Sequence, residues 1–187
     1  MNKMQLEKGL KVLNALEETK ELLELKEIMY NELNKLVTSS KNKKVNIYSF
    51  VKKFIKKKDM RDDFRGVIEQ EGRFFLCDGV RLIEINEKPE GIKEVITKID
   101  CISFMNNASE NMVELDLTSE QLELECRTAE EYVIFEKEGV KHGFNPKLLL
   151  DFIKLNGSSI KIKLSIREQQ AAFIEGDYPG LLMPIRL

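Results

Sequence analysis

Residues 139–187 read GVKHGFNPKLLLDFIKLNGSSIKIKLSIREQQAAFIEGDYPGLLMPIRL. The hydrophobic period in this stretch changes twice. A short strand over 139–142 precedes "NPKLLLDFIKLNG", which carries every mark of a helix over 145–156. Asn145 is placed to cap it and Pro146 fits the first helical position. Leu148, Leu149, Phe152, Ile153 and Leu155 form the apolar face, and Gly157 stops it. "SIKIKLSI", "QAAFIEG" and "GLLMPIRL" then alternate as three strands over 159–166, 170–175 and 180–187.

The same order occurs earlier in the chain. Val45 and Ile47 suggest a short strand at 44–47, and Ser49 is a candidate cap for a helix over 48–58 with Phe50, Val51, Phe54 and Ile55 on one face. Strands follow at 63–70, 72–77 and 80–86, turned by "EG" and "DG". The two units share an order of elements and not a sequence, which marks an internal structural duplication. Between them, "IKEVITKIDCISF" and "MVELDLTSEQLELECR" alternate well enough to be read as strands joined by an "NNASEN" turn, and "EYVIFEKEGVKHG" as a hairpin.

Residues 3–37 read as helix, with Leu22, Leu25, Met29, Leu33 and Leu36 at three- and four-residue spacing. The apolar register shifts near "EETKE". Either one long helix or a tight helical hairpin satisfies the pattern, packed on a partner or back on its own domain. The polar, basic "TSSKNKK" at 38–44 reads as a linker. The expected organisation is a helical extension at 1–40 and a single domain at 44–187.

Composition excludes several classes. With 187 residues and 42% apolar content, the chain can bury an ordinary core. The 30 basic and 32 acidic residues leave a net charge of −2, so a nucleic-acid surface would have to be a local patch. No run approaches the roughly 20 apolar residues of a membrane span, and the N-terminus has no signal-peptide core, so a cytoplasmic protein without a membrane partner is expected. The three cysteines, Cys77, Cys101 and Cys126, form no CxxC pair and are expected to be buried thiols. His142 is the only histidine; its plainer reading is a surface turn before a helix.

No phosphate-binding glycine loop, zincin motif or calcium loop is present. Binding rather than catalysis is expected, with no cofactor, no metal and no catalytic residue. One local feature departs from charge balance: Lys52, Lys53, Lys56, Lys57 and Lys58 form a strip of one sign that lacks glutamate partners at i,i+4 spacing. A solvated helix face is the plainer reading of such a run, and a phosphate-binding face the sharper one.

Three segments carry a resemblance. "CDGVRL", Cys77 to Leu82, resembles the Thr-Asp-Gly-His-Arg-Leu segment of bacterial DNA polymerase sliding clamps, the β subunits. "FNPKLLLDFIKLNG" resembles the helix of the clamp's last domain, and "LLMPIRL" its closing Met-Pro-Met-Arg-Leu type strand. Cys77 and Val80 stand where clamps usually have threonine and histidine. A clamp subunit has three such domains, whereas 44–187 has material for one. That truncation implies a phage- or prophage-related protein. Nothing in 1–40 matches the family, and 93–136 has no clear counterpart.

The resemblance implies an α+β, DNA-clamp-like domain with two helices against antiparallel sheets. It implies sequence-independent contact with duplex DNA through Lys52, Lys53, Lys56, Lys57, Lys58, Lys147 and Lys154, in a processivity-type role. It also implies a peptide-binding groove for replication proteins, formed by Gly79, Val80, Arg81, Leu82, Leu182, Met183, Pro184, Ile185 and Arg186, in which Arg81 or Arg186 would hold a peptide carboxylate or carbonyl. Since rings of the family contain six domains, encircling DNA would take a homo-oligomer of six chains. The alternative is a clamp-fold interaction module that no longer encircles DNA. In either case the CDGVRL and LLMPIR segments should be neighbours.

Overall fold

The computed structural model describes residues 28–29, 45–56, 60–108, 112–167 and 169–186. Expectations for 1–40 lie outside the described residues, apart from Ile28 and Met29, which are helical.

The fold is α+β. Helix α1 spans Ile47–Phe54 and leads through a 3-10 turn at Asp62–Phe64 into a meander of β1 (Val67–Gln70), β2 (Arg73–Cys77) and β3 (Arg81–Ile85). The short β4 (Glu94–Val95), helix α2 (Cys101–Ala108) and β5 (Met112–Glu114) come next. Helix α3 (Ser119–Thr128) precedes the hairpin β6 (Val133–Lys137) and β7 (Val140–Phe144). Helix α4 (Pro146–Asn156) then opens the second meander, β8 (Lys161–Ser165), β9 (Ala172–Glu175) and β10 (Gly180–Leu182).

Eight of these strands form one sheet in the order β4-β1-β2-β3-β10-β9-β8-β5, while β6 and β7 pair separately. The two meanders meet at β3 and β10, which run antiparallel with Ile83 opposite Gly180, Leu82 opposite Leu181 and Arg81 opposite Leu182. Outward from this seam, each side presents third, second and first strand and then one short outer strand. β5 pairs antiparallel with β8, and β4 pairs parallel with β1. The duplication expected from element order is therefore visible as two helix-plus-meander halves joined at a central seam.

Caps explain the helix starts. Asn145 Oδ1 accepts from Lys147 N–H at 3.0 Å, with Pro146 at the first position. The first helix begins earlier than its sequence suggests, because Asn46 rather than Ser49 is the cap: its Oδ1 accepts from Ser49 N–H at 3.1 Å. Val45–Ile47 consequently form no strand, and Ile47 is helical.

Two expected strands give way in part to helix. In the first, β4 keeps only Glu94–Val95, and Cys101 and Met105 bury one helical face of α2. Asp100 Oδ1 accepts from Ser103 N–H at 2.9 Å, which favours a helical start there. In the second, only Met112–Glu114 is strand. Helix α3 buries Leu122, Leu124, Cys126 and Thr128, every second residue, so its pattern imitates a strand. A capping box decides the matter: Thr118 Oγ1 accepts from Gln121 N–H at 3.3 Å, and Gln121 Oε1 from Thr118 N–H at 2.8 Å. An Arg127–Glu123 ion pair at four-residue spacing reinforces it. Among the described residues from 45 onward there are therefore four α-helices rather than the two expected there.

His142 is likewise not in a surface turn. It lies on the inward face of β7, 1% exposed, with Nε2 3.0 Å from the Ser165 carbonyl oxygen and its ring stacked near Phe144. Cys77, Cys101 and Cys126 are buried free thiols, as expected.

The core runs continuously through both halves, from Val51 and Phe54 through Phe75, Leu76 and Ile83 to Phe152, Ile162, Ile174 and Leu182. Gly180 marks a close approach within it. A Cβ built there would stand 2.3 Å from the Leu82 carbonyl oxygen and 2.7 Å from a Phe152 ring carbon. Gly180→Ala is expected to lower stability by about 1–3 kcal/mol, as overpacking does, seen as a lower denaturant midpoint at unchanged m-value.

Candidate functional site

The strongest constellation lies where the seam meets the turn between β2 and β3. Asp78 and Arg81 bracket this turn. Gly79 occupies its first central position at φ +84°, a conformation that favours glycine. Asp78 organises the backbone: Oδ1 accepts from Arg81 N–H at 2.7 Å and from Val80 N–H at 3.2 Å. The Asp78 N–H in turn donates to the Arg81 carbonyl at 3.1 Å.

Beyond the seam, Met183 N–H donates to the Val80 carbonyl at 2.9 Å, and Ile185 N–H donates to the Gly143 carbonyl at 2.8 Å. The terminal segment is thus not a continuous strand to 187. It leaves β10 at Leu182 and crosses from β3 to β7, where Ile185 makes one isolated bridge. The CDGVRL and LLMPIR segments are neighbours within one chain.

The nine expected groove residues divide sharply by exposure. Val80 and Met183 are 44% and 45% exposed, and Gly79 and Arg186 are also exposed. Pro184 and Ile185 are half-buried. Leu82 and Leu182 are core residues and offer no floor to a ligand. Arg81 is not free to grip a peptide, because its side chain is fully buried and spoken for. Nε and Nη2 donate to Asp78 Oδ2 at 3.1 and 3.0 Å, and Nη1 donates to Asp151 Oδ2 at 2.8 Å. The guanidinium carbon lies 4.8 Å from the Phe54 ring centroid. A buried guanidinium needs such partners, since an uncompensated charge there is strongly destabilising. Arg186 is left as the exposed arginine of the motif.

The structure adds residues that the sequence reading missed. Ile134 on β6 and Tyr132 just before it are 48% and 41% exposed. Ile134 pairs with Gly143, the residue that bridges Ile185. The apolar surface around Met183 and Ile185 therefore extends across the hairpin. The signal was present in "YVIF", where Val133 and Phe135 point inward and Tyr132 and Ile134 outward.

The basic positions form a second region. Lys52, Lys53 and Lys56 are exposed on α1 and just after it, and Lys147 and Lys154 are exposed on α4. Helix α1 contains no acidic residue. Lys57 and Lys58 lie outside the described residues. Among the described residues, none of the five remaining lysines has an ion-pair partner. Lys52 Nζ lies 5.5 Å from the Tyr48 ring centroid, a cation–π contact that leaves its charge available. Phe54 of α1 and Asp151 of α4 both reach Arg81, so one buried side chain contacts both helices.

Among the described residues, no group of three His, Cys, Asp or Glu side chains is placed to hold a metal ion. Burial pushes the Cys77 thiol up and those of Cys101 and Cys126 up to about 12. Thiolate is the reactive form. All three are therefore expected to resist iodoacetamide at pH 8 in the native protein and to react fully once unfolded, as mass spectrometry would record. Arg81→Met strands Asp78 and Asp151 and should destabilise by about 3–5 kcal/mol, measured by chemical denaturation. No family model, curated protein or solved structure matches the chain.

Proposed function

We propose that this chain is a clamp-like, non-enzymatic DNA replication accessory protein, with a phosphate-contacting face on α1 and α4 and a peptide-docking surface at the end of the β3–β10 seam. One observation carries the reading. The two segments that resemble clamp motifs lie far apart in sequence, yet Met183 N–H bonds to the Val80 carbonyl. That juxtaposition is what a docking surface made of both segments requires. The mirrored order of the two meanders about the seam supports the reading further.

The peptide surface consists of Val80, Met183, Pro184 and Ile185, with Arg186 at its edge. Ile134 on β6 and Tyr132 just before it extend the surface. A flexible thioether beside branched apolar groups suits short hydrophobic motifs. The DNA-facing groups are Lys52, Lys53, Lys56, Lys147 and Lys154, which would bind phosphates without reading bases.

A second reading is a monomeric clamp-fold interaction module, a phage- or prophage-type factor that acts on a host protein. The sheet edges favour it. Strands β4 and β5 have two and three residues, and Glu94 and Glu114 on them pair with Lys88 and Lys161. Short, charged edges resist strand-to-strand joining, whereas a six-chain ring would depend on it.

Light scattering separates the two readings: a hexameric mass supports the ring, and a monomer at high concentration removes it. Duplex DNA binding at about 50 mM salt should weaken steeply as salt rises. Replacing Lys52, Lys53, Lys147 and Lys154 by Ala should flatten that dependence by roughly one unit of slope per lost phosphate contact. A wild-type chain that leaves DNA unbound at that salt rules out the DNA role. Val80→Asp and Met183→Asp change exposed side chains and should abolish binding of a clamp-motif peptide with little change in melting temperature; undiminished binding removes the docking surface.

A further inference from the structure

Helix α4 carries an unusual charge arrangement. Asp151 stands four residues after Lys147 and three before Lys154, the spacings at which helix side chains pair. It pairs with neither lysine. Its Oδ2 accepts from Arg81 Nη1 at 2.8 Å, from a side chain on β3 that is wholly buried. The Asp151 side chain is itself 30% exposed, so it sits at the boundary between core and helix surface. Lys147 and Lys154 are exposed and have no ion-pair partner among the described residues.

We propose that Arg81 is a positioning residue for the phosphate-binding face: it holds and neutralises Asp151 from beneath α4, so that Lys147 and Lys154 remain unpaired for a polyanion. The inference rests on reading that face as phosphate-binding. Without Arg81, Asp151 would be a carboxylate among the lysines. It would pair with them at helical spacing and repel phosphate. Asp78 makes the arrangement stable, because its Oδ2 accepts from Nε and Nη2 and leaves Nη1 for Asp151. Phe54 of α1 faces the same guanidinium at 4.8 Å, which ties the second basic helix to this anchor.

The test uses two readouts on the full chain. The first is the acylation rate of Lys147 and Lys154 by a water-soluble N-hydroxysuccinimide ester, followed by peptide mass spectrometry. Asp151→Asn should leave both rates unchanged to within about 20%, because Asp151 already engages Arg81, well inside the effect of one helix-surface pair. Arg81→Met should lower each rate by roughly 1.4- to 2.3-fold, as one helix-surface ion pair per lysine would. Arg81→Met with Asp151→Asn should restore them. The second readout is affinity for a random-sequence duplex, which Arg81→Met should weaken and the double variant recover. A rate increase in Asp151→Asn alone overturns the proposal and needs no Arg81 variant to fold. So does a loss in Arg81→Met that the double variant fails to restore, since Arg81 is then a structural strut. If the wild-type chain binds no duplex while the acylation pattern holds, the charge arrangement stands and the phosphate-binding reading of the face falls.

Discussion

The pairing of β3 with β10 is the constraint on which the rest of the structure depends. Each meander alone is a three-stranded sheet with a helix before it. Joined at the seam, they bury Ile83, Leu82, Leu181 and Leu182 in one continuous core. The junction closes only because residue 180 lacks a side chain, which lets Phe152 of α4 rest on the strand itself. A fully buried phenylalanine contributes roughly 1.5–3 kcal/mol of transfer free energy, so this contact fastens the helix to the seam as well as the halves to each other.

Arg81 extends that constraint from the sheet to the helices. Its guanidinium spans the β2–β3 turn, α4 and the aromatic ring of α1. Burying it carries a desolvation cost that only complete pairing offsets. The benefit is specificity of arrangement: the turn bearing Val80 and the helices bearing the lysines share a single rigid anchor. The two candidate surfaces are therefore not independent decorations of the fold. A rearrangement of the turn that displaced Asp78 would also be felt at Asp151.

Much of the framework was legible in the chain. Alternation identified both meanders, and in the first "EG" and "DG" between apolar runs admit little besides a hairpin. Asn145, Pro146 and Gly157 marked α4 at both ends. The failures have specific causes. Helix α3 buries alternate residues and so imitates a strand, and the capping box at Thr118 and Gln121 outweighs that pattern. Asn46 captured the start of α1 ahead of Ser49 because its side chain reaches the Ser49 N–H. His142 read as a turn residue because its neighbours are polar and small, but pairing with β6 carries it into the sheet and turns its ring inward.

For the candidate site, local sequence identified which segments matter but not which of their side chains reach solvent. Val80 and Arg81 are adjacent, yet one is 44% exposed and the other buried. Asp78, three residues earlier, is a local partner for Arg81, but the guanidinium is fully consumed only through Asp151, seventy residues away. The sequence by itself determined the two helix-plus-meander units, the buried cysteines and the concentration of lysine near α1, because periodicity, caps and charge are local properties. Only the tertiary structure decided that the units meet at β3 and β10, that Met183 lies against Val80, and that Arg81 serves the core. Those outcomes depend on which distant backbone groups pair and which charges lose their water together, and neither is encoded in a single stretch of chain.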